Sequence, residues 1–101
     1  MKAGRQRLDK WLWFARFART RSLAAKLVAA GHVRVNGLRA GDGAKGVGVG
    51  DVVTVAAAHG TALVRVIDLG ERRGPAPEAR TLYEAIGASG GDANPAASPD
   101  F

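Results

Sequence analysis

Residues 7–37, RLDKWLWFARFARTRSLAAKLVAAGHVRVNG, decide the fold. At about 100° per residue, Leu8, Trp11, Leu12, Ala15 and Ala18 fall on one stripe. Residues 8–18 are therefore predicted to form a helix, with that stripe toward the core and Phe14 at its edge. Asp9 sits in the first turn, where a carboxylate meets the positive end of the helix dipole. Arg19-Thr20-Arg21-Ser22 breaks the apolar pattern, and Thr20 supplies the N-cap of a second helix. Leu23, Leu27 and Ala30 form the predicted apolar stripe of that helix, with Ala24 and Val28 alongside, and Gly31 ends it. His32-Val33-Arg34-Val35 then alternates with period two into Asn36-Gly37, the strongest short-range hairpin signal. A two-residue loop places Val35 opposite Leu38, Arg34 opposite Arg39 and Val33 opposite Ala40, with the valines inward.

Downstream, Gly41–Gly50 reads as a glycine-rich link carrying Lys45. Residues 52–55 and 63–67 read as strands joined by residues 56–60, the second being the last strand expected. Arg72-Arg73-Gly74-Pro75 is a turn, and Pro77–Ile86 a short helix with Leu82, Tyr83 and Ile86 as its apolar residues. Residues 87–101, rich in Gly, Ala, Ser, Pro and Asp, are expected to be disordered. Two helices followed by short strands predict an α+β domain over residues 5–69. A C-terminal extension with a short helix (70–86) and a tail (87–101) complete the chain.

The 101 residues carry a formal charge of +6, spread unevenly. Residues 1–45 hold 11 Lys/Arg against Asp9 and Asp42, a net +9, and residues 46–101 hold four against seven acids, a net −3. Such asymmetry suits a polyanion bound by the N-terminal half, although a solvated face enriched in arginine reads the same way from composition alone. With no cysteine, neither a disulfide framework nor a thiolate metal site is available. His32 and His59, the two histidines, have no ligand partners in sequence, and no metal or other cofactor is expected. The glycines at 41–50 precede a strand and lack the Lys-Ser/Thr ending of a phosphate loop. Ser22 has no nearby His-Asp partner, and its place at a helix start accounts for it. No catalytic residues are expected, so neither an enzyme nor a small-molecule substrate is anticipated. No apolar run approaches a membrane span and no secretory signal is visible, so a cytoplasmic protein is expected, with no membrane partner.

The basic residues form the chemistry-bearing constellation. Arg16, Arg19, Arg21 and Lys26 gather around the turn and the start of the second helix, where Thr20 and Ser22 also stand. Helix N-termini attract phosphate through free amides, and arginine adds bidentate contacts. Arg5, Arg7 and Lys10 extend the patch at one end, and Arg34, Arg39, Lys45 and the Asn36 turn at the other. Arg34 and Arg39 facing one another cost stability, so an anion is expected to share that face. Trp13 and Phe17 either stack on unpaired bases or are covered by the Leu82-Tyr83-Ile86 segment, and the second is expected.

Three segments carry a resemblance: Arg7-Leu8-Asp9-Lys10-Trp11-Leu12-Trp13, Arg19-Thr20-Arg21-Ser22-Leu23-Ala24, and Gly31-His32-Val33-Arg34-Val35-Asn36-Gly37. Together they resemble the RNA-binding domain named after small-subunit ribosomal protein S-four, the alpha-L fold. Leu8–Trp13 looks like one branch of it, the ribosome-associated heat shock protein 15 family, and the similarity covers roughly residues 5–69, with Arg72–Glu84 also similar. The resemblance implies two helices on a small, mostly antiparallel sheet of three to five strands, with a short C-terminal helix. It also implies docking on ribosomal RNA of the large ribosomal subunit, particularly one stalled with a nascent chain on transfer RNA, in recycling under heat or translational stress. By the same analogy Arg7, Lys10, Arg16, Arg19, Arg21, Lys26, Arg34 and Arg39 contact RNA. Family members carry a long basic C-terminal extension, whose contacts are not expected from this acidic C-terminal half. Two other readings stand beside it: an RNA-targeting module for a separate modifying enzyme, and a helix-turn-helix DNA binder.

Overall fold

A computed structural model describes residues 4–57 and 60–90. Strand β1 (Gln6–Arg7) leads directly into helix α1 (Leu8–Phe14). Leu8, Trp11 and Leu12 are fully buried on the expected stripe, and Ala15 and Ala18 are buried just beyond it. The helix nevertheless ends four residues earlier than predicted. The amides of Arg16 and Phe17 bond to the carbonyls of Trp13 (3.1 Å) and Leu12 (2.9 Å), while Arg16 adopts φ 67°. This is a Schellman closure with arginine in the left-handed place usually held by glycine. An L side chain there costs about 1 kcal/mol. The reversal carries Phe17 into the core, where it is 1% exposed and stacks on Trp11 with centroids 5.9 Å apart. Periodicity could not register that turn, because Ala15 and Ala18 keep helical spacing through it.

Helix α2 (Arg21–Ala29) starts as expected, the Thr20 hydroxyl accepting from the Leu23 amide at 3.0 Å. It ends in a second Schellman closure at Gly31, φ 86°. Its buried face differs from the predicted one. Ala24 and Val28 are fully buried, Leu23 and Leu27 are half-buried, and Ala30 is exposed. A methyl at position 24 lets α2 approach α1 closely, which rolls the leucines to the rim of the contact.

Strands β2 (Val33–Val35) and β3 (Leu38–Arg39) form the predicted hairpin, with Arg34 opposite Arg39 and Val35 opposite Leu38. Asn36 (φ 53°) and Gly37 (φ 82°) supply the two positive φ values of a type I′ turn. Val33 and Val35 point inward, whereas Leu38 is 73% exposed at the sheet edge. The glycine-rich link is more ordered than expected. Within it, β4 (Gly46–Val47) pairs antiparallel with β1, placing Val47 in the core.

The remaining strands are β5 (Val52–Ala57) and β6 (Gly60–Val66), each longer than its predicted segment, and β7 (Tyr83–Gly90), where no strand was expected. They complete a five-stranded antiparallel sheet in the order β3-β2-β5-β6-β7. Val53, Val55, Val64 and Val66 join Leu8, Trp11, Leu12, Phe17 and Val28 in one buried cluster. The C-terminal reading is corrected twice. Helix α3 (Ala76–Ala79) is one turn extended by a 3-10 turn over Arg80–Leu82, and from Tyr83 the chain is a strand, not the second half of a helix. Residues 87–90, expected to be disordered, belong to that strand, because the open edge of β6 offers them backbone partners, from Leu63 opposite Gly87 to Gly60 opposite Gly90. Residues 91–101 lie outside the described residues. Tyr83 covers Phe17 with centroids 5.0 Å apart, as the covering reading requires, but Ile86 is exposed and Trp13 instead stacks on Phe14 at 5.3 Å.

Candidate nucleic-acid interface

The first turn of α1 is assembled from the glycine-rich link. The Leu8 amide donates to the Lys45 carbonyl (2.8 Å) and the Asp9 amide to that of Gly43 (3.1 Å), so backbone already occupies this helix N-terminus. Gly43 is needed there for space. A Cβ would stand 2.7 Å from Asp9 Oδ2 and 2.8 Å from its Cβ, closer than atoms approach. Asp9 is thus pressed between the loop and the helix, its side chain 5% exposed.

Two arginines converge on that carboxylate. Arg7 donates through Nε to Oδ1 (3.2 Å) and through Nη2 to Oδ2 (3.0 Å), a bidentate fork, while Arg21 Nε lies 3.6 Å from Oδ1. Burial pushes the Asp9 carboxyl upward, but the Arg7 bonds and charge, Arg21, and the Lys10 amide outweigh it and hold the group below its ordinary value. The same pairing raises Arg7. Asp9 therefore fixes, side by side, guanidinium groups from β1 and α2 that sequence places fourteen residues apart.

Arg7 and Arg21, with Arg5 and Lys10, line one open cleft of about 490 Å3, together with Gln6, Leu69, Gly70 and Glu71. Gln6 braces one wall, its amide donating to the Gly70 carbonyl (2.8 Å) and accepting from the Gly70 amide (3.1 Å). Lys10 lies over the Phe14 ring at 5.6 Å, and Arg5 reaches Asp51 at 3.5 Å. Four of the expected contact residues are thereby brought together. Arg34 and Arg39 share the exposed face of the hairpin, and Lys26 and Ser22 are exposed on α2. Arg19 is exposed in the turn before Thr20, and Lys45 is exposed in the loop capping α1.

Two expected residues are committed to the fold, and a third is turned away from the cleft. The Thr20 hydroxyl caps α2. Asn36 donates to Asp51 Oδ1 (3.2 Å) and accepts from the Val52 amide (2.9 Å), locking the hairpin turn to β5. Arg16 points toward the C-terminal segment, donating to the Gly74 carbonyl at 2.7 Å. Asp9, Gln6 and Gly43, which organise the cleft, were not among the expected site residues. A carboxylate two residues after Arg7 was visible, but its second arginine and its capping loop were not. Among the described residues no group of three His, Asp or Glu is placed to hold a metal, and no helix is long and apolar enough to cross a membrane. His32 is exposed and His59 lies outside the described residues.

The S4 domain family model matches residues 6–53. The heat shock protein 15 homolog of Aeromonas salmonicida is 46% identical over 83 residues, covering 82% of this chain and 62% of that protein. Heat shock protein 15 of Escherichia coli K12 is 42% identical over 78 residues, 77% of this chain and 58% of its own length. The chain thus spans about three-fifths of the curated relatives it matches. The trimeric structure of Vibrio cholerae heat shock protein 15 superimposes with a TM-score of 0.77 at 41% identity, covering 82% of this chain and 83% of that one. The α+β architecture, the S4 segment and these identities agree: the chain belongs to the heat shock protein 15 family.

Proposed function

We propose that the protein is a non-enzymatic RNA-binding factor of the cytoplasm. It docks on ribosomal RNA of the large ribosomal subunit and takes part in recycling subunits stalled with a nascent chain, peptidyl-tRNA being a further contact. The observation that carries this reading is the cleft whose rim holds Arg5, Arg7, Lys10 and Arg21, with Arg7 and Arg21 oriented on one buried carboxylate. Prearranged guanidinium forks suit phosphate oxygens, and their flat faces stack on bases splayed out of folded RNA. Membership of a heat shock family supports a role under heat or translational stress. The DNA reading has less support, since Ala24, Ala25 and Ala29 leave α2 few side chains that read base edges.

Sedimentation of a cell extract on a sucrose gradient tests the proposal. The protein is expected with the large subunit, and recovery wholly at the top of the gradient would refute it. Co-purification with a modifying enzyme on free RNA would favour the targeting-module reading, and tighter binding to duplex DNA than to ribosomal RNA the third.

A further inference from the structure

Arg73 stands apart from the other arginines of the C-terminal half. Arg65 pairs with Glu84 (3.1 Å) and Arg72 with Glu78 (3.0 Å), both on the surface. Arg73 is half-buried, and its Nε is enclosed without an acceptor among the described residues. An enclosed donor left unsatisfied costs about 1–3 kcal/mol. The group beside it is another cation. Arg16 donates to the carbonyl of Gly74, the next residue, and burial, joined by the Arg16 charge, lowers the Arg73 guanidinium from its ordinary value. Arg16 itself is held at φ 67°. Glu78 lies against Gly74 but is engaged by Arg72. An enclosed donor and two neighbouring like charges coincide at one place, and an anion there offsets the repulsion.

We propose that Arg16, within the S4 segment, and Arg73, outside it, form a phosphate-binding pair that takes a backbone phosphate of the bound RNA. A phosphodiester suits it, because its two unesterified oxygens can each accept from one of the two guanidinium groups. The site rests on the RNA reading for its ligand but not for its chemistry. It extends the docking surface from the α1–α2 turn onto residues 72–75, joining the acidic half of the chain to the basic half through one shared anion.

The test uses arginine Nε–H resonances of the 15N-labelled, full chain, titrated with inorganic pyrophosphate. Arg16 and Arg73 are expected to shift together on one saturating curve, while Arg65, paired with Glu84, stays near its starting position. Movement of Arg73 no greater than that of Arg65 overturns the pair. In parallel, Arg73→Gln is expected to lower the log–log salt slope of ribosomal RNA binding by about one unit, and Arg65→Gln to leave it unchanged. A wild-type slope in Arg73→Gln with a normal pyrophosphate response overturns the RNA assignment. A saturating pyrophosphate shift in a chain that binds no RNA supports the pair and refutes the RNA reading instead.

Discussion

At the residue scale, Asp9 has the most to do. It is a negative charge inside a surface proposed to bind phosphate, so simple charge counting predicts that Asp9→Asn strengthens RNA binding. Its geometry predicts the reverse: with the carboxylate gone, Arg7 and Arg21 lose the shared charged acceptor that holds them side by side. We expect roughly tenfold weaker binding by fluorescence anisotropy, about 1.4 kcal/mol, with the far-ultraviolet circular dichroism spectrum retained. Tighter binding would show that Asp9 merely repels. The same group sets an acid limit on stability. Its folded value lies below the ordinary 3.8, so its contribution is present above that pH and is lost as pH falls through the lower folded value. Asp51, raised by burial but lowered overall by the Gly48 amide, Asn36, Arg5 and Lys45 together, acts in the same direction. Urea midpoints measured from pH 6 to pH 2 are expected to fall below about pH 4, and to fall less steeply in Asp9→Asn.

At the element scale, the two ends of the helical pair behave differently. Thr20→Ala removes the cap of α2 and is expected to cost about 1 kcal/mol in urea denaturation. A cost near zero would mean that water replaces the hydroxyl without loss. Strand β7 is a larger contribution, because Tyr83 closes the core over Phe17 and Val66 at the end of the sheet. Tyr83→Ala is expected to cost about 3 kcal/mol and to raise the m value little, since the rest of the sheet keeps its partners. An unaffected midpoint would place β7 outside the cooperative unit. The hairpin was readable from the turn pair Asn36-Gly37 alone. The β1–β4 ribbon was not, because two residues on each side leave no periodicity to detect.

For the whole molecule, the uneven charge predicts opposite responses to salt. Residues 1–45, at net +9, repel one another in the free protein. Raising NaCl from about 0.05 to 0.3 M screens that repulsion, shortening the Debye length from roughly 14 to 6 Å, and is expected to raise the melting temperature. RNA affinity is expected to fall over the same range, with a slope of roughly −0.7 to −0.9 per neutralised phosphate. A melting temperature that falls with salt would indicate that ion pairs such as Arg7–Asp9 outweigh the repulsion. Saturating RNA at about 100 times its dissociation constant adds about 2.7 kcal/mol of stability, which a thermal shift measurement registers.

Sequence by itself determined what local chemistry controls: the start of both helices, the cap at Thr20, the left-handed Gly31, the Asn36-Gly37 turn with its register, and the inward valines. Each follows from backbone preference or from a period of 2 or 3.6 residues. It also gave the family, because those signals occur together in Arg7–Gly37. Only the tertiary structure decided the rest. The left-handed Arg16 is tolerated because Phe17 finds the core, and β7 forms because β6 has an open edge. Arg7 and Arg21 become one device because Gly43 leaves room for the buried Asp9 between them. These depend on residues distant in the chain, whose meeting no local pattern encodes.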